Sequence, residues 1–193
     1  MEDYLQKKSS TILLETERLI LRDYMISDLK EVHAWMSDPE VMLYLEWKTS
    51  SMEETKENLL KTINDIGSSN RNEYYFAMIE KETQKHIGGA GFKIITRKHN
   101  SGIAELGYFL SKDYWGKGIA VEAVLRIIKF GFVDLKLHKI SASCDSENRG
   151  SERIMQKCGL SKEGELRKER FHRNRWCNRL LYSILKEERE IKI

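Results

Sequence analysis

The sequence predicts a single α+β domain, a mixed sheet carrying helices, and two observations predict it. Short aromatic and β-branched runs cluster in the middle and at the end of the chain, and between them apolar residues recur at helical spacing. The 193 residues suit one domain. A chain of this size buries roughly 70% of the surface its unfolded form exposes, enough for a core without staples. A polar tail is expected over residues 1–11 and a single domain over 12–190.

The elements follow in order. TILLETERLILRDY, from Thr11, alternates apolar positions such as Leu19 and Leu21 and predicts a strand pair or one bent strand. Ser27 or Asp28 then caps a helix that sets Leu29, Val32, His33 and Met36 on one face. Pro39, the only proline, is placed to open the next helix. Ser51 to Ile66 reads as a further helix, closed by Gly67. YYFAMIE, HIGGAGFKII and GIAELGYFL read as strands, the last two joined by the hairpin loop RKHNSG. KGIAVEAVLRIIKFGF carries Ala120, Ala123, Val124, Ile127, Ile128 and Gly131 at helical spacing. HKISASC is a strand, ENRGSERIMQKCGL a short helix stopped by Gly159, and strands near 160–171 and 175–186 close the chain.

Composition removes several classes of function. Hydrophobic residues at 40% and charged residues at 33% describe a globule, not a disordered chain. A net charge of +3 is too small to argue for wrapping nucleic acid. Cys144, Cys158 and Cys177 are odd in number and lack CxxC spacing, which argues against a disulfide framework and a zinc site. No apolar run approaches the ~18 residues of a membrane span, and the charged opening MEDYLQKKSSTILLE is unlike a signal peptide. The expected compartment is cytoplasmic, with no membrane partner and no metal.

One stretch carries chemistry. Glu105-Leu106-Gly107-Tyr108-Phe109-Leu110 reads as a strand; a short loop with Gly116 and Gly118 follows and runs into the apolar helix. Glycines there let backbone N–H groups approach an anion, and a helix N-terminus adds about half a positive charge. A phosphate site is the functional reading and a merely tight loop the structural one. The Walker loop GxxxxGK[ST] is absent, and Val121 occupies the third glycine position of a dinucleotide fingerprint.

AELGYFLSKDYWGKGIAVEAV resembles the acetyl-CoA-binding motif of the GNAT superfamily of N-acetyltransferases, closest in phrasing to its RimJ/RimL branch of ribosomal-protein alanine N-acetyltransferases. The superfamily pattern Q/R-x-x-G-x-G/A is met by Trp115-Gly116-Lys117-Gly118-Ile119-Ala120 except at its first place, where Trp115 stands, a form common in that branch. TERLILRDYMISDLKEV, HIGGAGF, the segment Glu147 to Leu160 and the closing EGELRKERFHRNRWCNRLLYSILKEE resemble further parts of the family, in the right order over about residues 12–188. Leu160 replaces a usual Phe, and Asn178 sits where an Asp is common.

The resemblance implies a strongly bent mixed sheet of about seven strands with about four helices. It also implies acetyl-CoA as co-substrate, held by Phe109, Leu110, Trp115, Gly116, Lys117, Gly118, Ile119, Ala120 and Asn148. Packing on the helix is the expected part of Trp115. Glu105 is the implied general base, and partial burial would suit that role; it could equally be a surface carboxylate paired across the strand. Glu122 is the reserve. Carbonyl polarisation would come from a backbone N–H near Phe109 or Leu110 if the strand bulges there. Many relatives place a Tyr where this chain has Met155, so Ser151 is the implied proton donor to the leaving thiolate, or else a cap of its own helix.

The amine can be sized from chemistry alone. An α-amino group of pKa ~7.8 is about 14% neutral at pH 7, a cost near ~1 kcal/mol, whereas a lysine amine at ~10.4 costs roughly 4.6 kcal/mol. Arg167, Lys168, Arg170, His172, Arg173, Arg175 and Arg179 against Glu165 and Glu169 suggest a cationic rim that favours acidic protein segments over polyamines. Trp35, Tyr44, Trp47 and Trp176 could line the acceptor groove. A protein or peptide N-terminal α-amine is therefore the expected acceptor, reached by direct attack in a ternary complex by a monomer or homodimer. A small-molecule amine is the alternative. So is a non-catalytic module binding acyl-CoA, or RNA through the stripe RKERFHRNRWCNR.

Overall fold

The computed structural model describes residues 12–45, 49–68, 70–98, 101–172 and 174–190; the tail expected over 1–11 lies outside them, as do Trp47 and Arg173. The opening run folds as a strand pair, β1 (Leu13–Glu15) against β2 (Leu19–Asp23), with Leu14 opposite Leu21. Leu19 and Leu21 are fully buried. A 3-10 turn at Ile26–Asp28 leads into α1 (Leu29–Met36), whose Val32, Trp35 and Met36 are buried.

The helix expected from Pro39 is only a 3-10 turn at Val41–Tyr44. Leu45 is extended, and the Ser50 N–H bonds back to the Met36 carbonyl, which returns the chain to α1 before a helix can lengthen. α2 (Met52–Ile66) starts at a capping box in which the Ser51 hydroxyl accepts from the Glu54 N–H and the Glu54 carboxylate accepts from the Ser51 N–H at 2.7 Å.

The remaining strands are β3 (Glu73–Glu80), β4 (His86–Lys98), β5 (Ser101–Leu110), β6 (Lys139–Asp145), β7 (Ser161–His172) and β8 (Arg175–Leu185). They complete one sheet in the order β1-β2-β3-β4-β5-β6-β8-β7, eight strands where about seven were expected because the opening run supplies two. Every pairing is antiparallel except β5 with β6. α3 (Ile119–Val133) forms the crossover between those two, and α4 (Arg149–Lys157) links β6 to β7. β8 ends one residue early, where the Glu188 carboxylate takes the Leu185 N–H and starts the short α5 (Lys186–Glu190).

The sheet has a core on each face. α3 and α4 cover one built from Phe76, Phe92, Ile127, Ile128, Ile140 and Met155. α1 and α2 cover the other, with Val32, Trp35, Leu59, Ala77 and Ile79. Each fully buried Ile, Met or Phe contributes about 1.5–3 kcal/mol.

Charge is buried too. Asp23, 3% exposed, pairs with Arg71, 7% exposed, and takes the Ile12 N–H on its other oxygen. Asp23→Ala leaves the guanidinium buried and unpaired, so a loss of about 3–5 kcal/mol is expected in chemical denaturation; a loss below ~1 kcal/mol would show that water replaces the carboxylate.

Candidate active site

The parallel pair β5–β6 is in register only from Ile103/Lys139 to Leu106/Ala142, yet both strands run on, to Leu110 and to Asp145. Beyond Leu106 the two therefore diverge and leave a gap. Meanwhile β5 stays paired to β4 without a register shift from Gly88/Leu110 to Ile94/Ala104. No register shift marks the bulge expected near Phe109–Leu110; in this pair the shift lies between Ile94 and Thr96.

Alternation decides which amides line the gap. Ser111 donates to Ile87 on the β4 side, while the Gly102 carbonyl accepts from His138 on the β6 side. The even-numbered residues of β5 thus turn their N–H groups toward β6, so those of Tyr108 and Leu110 face the gap and that of Phe109 faces β4. The Phe109 side chain lies against buried Trp35, ring centroids 3.7 Å apart.

The loop after β5 is exposed from Trp115 to Gly118. Gly116 and Gly118 take φ of +75° and +76°, a left-handed region that glycine enters without strain. A Cβ on Gly116 would meet nothing within 4 Å, and one on Gly118 only the tip of Arg18 at 3.8 Å. Gly118 caps α3, whose first-turn N–H groups have no partner within the helix. Trp115 is half-exposed, and its indole N–H donates to the Leu110 carbonyl at 2.8 Å, fastening the loop to the end of β5.

Arg18 is a loop residue that motif reading misses. Its guanidinium donates to the Lys117 carbonyl at 3.0 Å and to Glu122 at 2.6 Å, and its backbone N–H also goes to Glu122. Partial burial would raise the Glu122 carboxyl, but the Thr16 hydroxyl and both Arg18 donors outweigh it and hold it below its usual range. Paired in this way, Glu122 anchors the loop.

β5 divides its polar groups between two faces. Glu105 and Gly107 share one, as expected, with the Tyr75 ring 3.5 Å from where a Gly107 side chain would start. Glu105 is half-buried and accepts from Arg179 of β8 at 2.9 Å and from the Ser143 hydroxyl of β6 at 3.3 Å. The Arg179 guanidinium reaches Glu169 as well, at 3.4 Å. On the opposite face Tyr108 directs its phenol at Ser151 in the first turn of α4, 2.9 Å from Oγ and 3.0 Å from the backbone oxygen. Asn148 caps the same turn, its side-chain oxygen accepting the Ser151 N–H at 3.0 Å. Met155, on the next turn, is fully buried.

The rim expected to be cationic is neutralised in part. Arg175 makes a bidentate pair with Glu147 at 2.6 Å, Arg179 pairs with Glu105 and Glu169, and Lys168 donates to the Trp176 carbonyl. Glu105 comes from another strand and Glu147 from a loop, so the local run of basic residues hides them, whereas Glu169 lies within the run. Phe171 and Trp176, both more than half exposed, pack edge to face on each other at 5.4 Å and not as open stacking platforms. Among the described residues no helix is long and apolar enough to cross a membrane, and no cluster of His, Cys, Asp or Glu could hold a metal ion.

Comparison with known proteins bears on this site. The acetyltransferase (GNAT) domain matches residues 18–161. The chain is similar to the uncharacterised N-acetyltransferase p20 of Bacillus licheniformis, 36% identical over 91% of this chain and 97% of that protein. It is 30% identical to the spermidine N(1)-acetyltransferase of Escherichia coli over 87% of this chain and 86% of that one. The solved ribosomal-protein-S5-alanine acetyltransferase of Vibrio fischeri superposes with a TM-score of 0.78 and 26% identity, over 91% and 97% of the two chains.

Proposed function

The chain belongs to the GNAT acetyltransferase family, and on that premise we propose that it transfers the acetyl group of acetyl-CoA to the α-amine of a protein or peptide N-terminus by direct attack in a ternary complex. The observation that carries the proposal is the adjacency of the β5–β6 gap to the open glycine loop at the start of α3. The diphosphate of the co-substrate meets the N–H groups from Gly116 to Ala120, where the α3 dipole favours negative charge. The pantetheine arm then runs along β5 as a surrogate strand, donating to and accepting from the backbone that β6 has left, with the Asn148 amide at its flank. The Leu110 and Tyr108 N–H groups face the position of the thioester carbonyl and polarise it as charge develops on its oxygen.

Glu105 takes the proton of the attacking amine, and Ser151 supplies one to the sulfur. A single carboxylate matches an α-amine, most of whose activation is already supplied by its own pKa. A second acceptor class, a polyamine, is less disfavoured than the basic run suggests: Glu105, Glu147 and Glu169 beside Arg175 and Arg179 reduce the repulsion of a polycation. Thiol release from acetyl-CoA in the presence of a peptide N-terminus library and of spermidine separates the two. Peptides are expected to be turned over with kcat/KM at least about tenfold above spermidine, a preference of ~1.4 kcal/mol; the reverse order would assign the site to polyamines.

A further inference from the structure

The contact between Tyr108 and Ser151 crosses from β5 to α4 behind the gap, and acetyl transfer does not account for it unless it serves the leaving group. The phenol has one hydrogen and two acceptors within reach, Ser151 Oγ at 2.9 Å and the Ser151 carbonyl at 3.0 Å. With the hydrogen on the carbonyl, the serine O–H points back at the phenol oxygen and is occupied. With the hydrogen on Oγ, the serine O–H is released from the phenol and can turn to another acceptor, the Cys144 sulfur beside it or a ligand's. One side chain therefore selects whether Ser151 is presented to a ligand.

Resting on the acetyl-transfer proposal above, we propose that Tyr108 is a positioning residue that holds the Ser151 hydroxyl as a hydrogen-bond donor to the sulfur of coenzyme A. As the amine attacks, the C–S bond breaks and its electron pair stays on sulfur. Ser151 passes its proton to that sulfur and recovers one from solvent, while the amine loses one through Glu105. One proton enters and one leaves.

The surroundings favour this assignment. Burial, opposed by the Ser151 hydrogen bond, pushes the Tyr108 phenol up, so it stays a donor throughout the working range. Burial also pushes the neighbouring Cys144 and Cys158 thiols up, to about 11 and about 12. Glu152, beside Cys144, is held below its usual range by Arg149 and the Tyr182 phenol and remains a carboxylate. None of these groups titrates between pH 6 and pH 9, where a free thiol begins to ionise.

The test reads the bound thiol directly and needs no acceptor. Coenzyme A is titrated by the ultraviolet absorbance of its thiolate on the wild-type protein, Tyr108→Phe, Ser151→Ala and the double variant, each corrected for the coenzyme-free protein. A donor on the sulfur stabilises the thiolate, so ionisation on the wild type is expected about one pH unit below that on either variant. The double variant is expected to match the single ones, since Tyr108 acts only through Ser151. A phenol that merely fills the core would lower the melting temperature and leave the titration in place. Tyr108→Phe keeps the ring and tests the oxygen alone. Wild-type-like ionisation on Tyr108→Phe overturns the positioning role and leaves acetyl transfer standing; failure of coenzyme A to bind the wild type at all, by calorimetry, overturns the acetyl-CoA assignment and this role with it.

Discussion

Gly118→Val is expected to abolish measurable acetyl-CoA binding, with affinity falling by at least about 10²-fold while the protein still folds. The residue sits at φ +76°, where a β-branched side chain is a steric outlier costing about 1–3 kcal/mol. Local crowding is not the problem, since only the flexible end of Arg18 lies within 4 Å of the added Cβ. The loss arises because the valine methyl groups stand where a phosphate must approach the amides, and because relaxing φ turns those amides away. Gly118→Ala carries the same sign of strain with less bulk and is expected to fall between the two. Calorimetric titration with acetyl-CoA, beside a thermal melt, separates lost binding from lost fold. An undiminished heat for Gly118→Val would place the diphosphate elsewhere.

What the sequence disclosed follows from the range of the forces involved. The α3 helix, its glycine entry and the helix from Ser51 to Ile66 are written within a few residues each, in apolar period and turn chemistry, and they form where expected. The order of strands is legible for the same reason. The pairings that fix the site's electrostatics are not local. Arg18 meets Glu122 across 104 residues and Arg179 meets Glu105 across 74, and only the register of β2 and β8 in the sheet brings them together. A basic stretch read alone therefore overstated the charge of the rim. Trp115 adds a contact that the sequence does not disclose: its indole N–H ties off the Leu110 carbonyl at the end of β5. The 3-10 turn at Val41–Tyr44 is short because Ser50 is bonded to Met36, a tertiary constraint that Pro39 does not announce.

Glu105→Gln is expected to lower kcat about 10²-fold or more, the range of a positioned general base, with little change in acetyl-CoA affinity. Glutamine keeps the size of the side chain and an oxygen for Arg179 and Ser143, so the cleft should hold its shape. What disappears is the ability to take a proton from the amine. Arg179 makes the experiment sharper. Its guanidinium occupies one Glu105 oxygen and stands where an incoming ammonium would be repelled, at a distance of a few ångströms and at the partly screened edge of the protein. Arg179→Gln removes that repulsion, leaves Glu105 and Glu169 facing the acceptor, and is expected to lower KM for amines several-fold, most for those carrying more than one charge. Steady-state kinetics on a peptide and on spermidine read both effects at once: Glu105→Gln moves kcat for every acceptor, whereas Arg179→Gln moves KM in proportion to acceptor charge. If Glu105→Gln turns over at the wild-type rate across the pH range, the amine's proton leaves by water alone and the carboxylate is there to hold Arg179 in place.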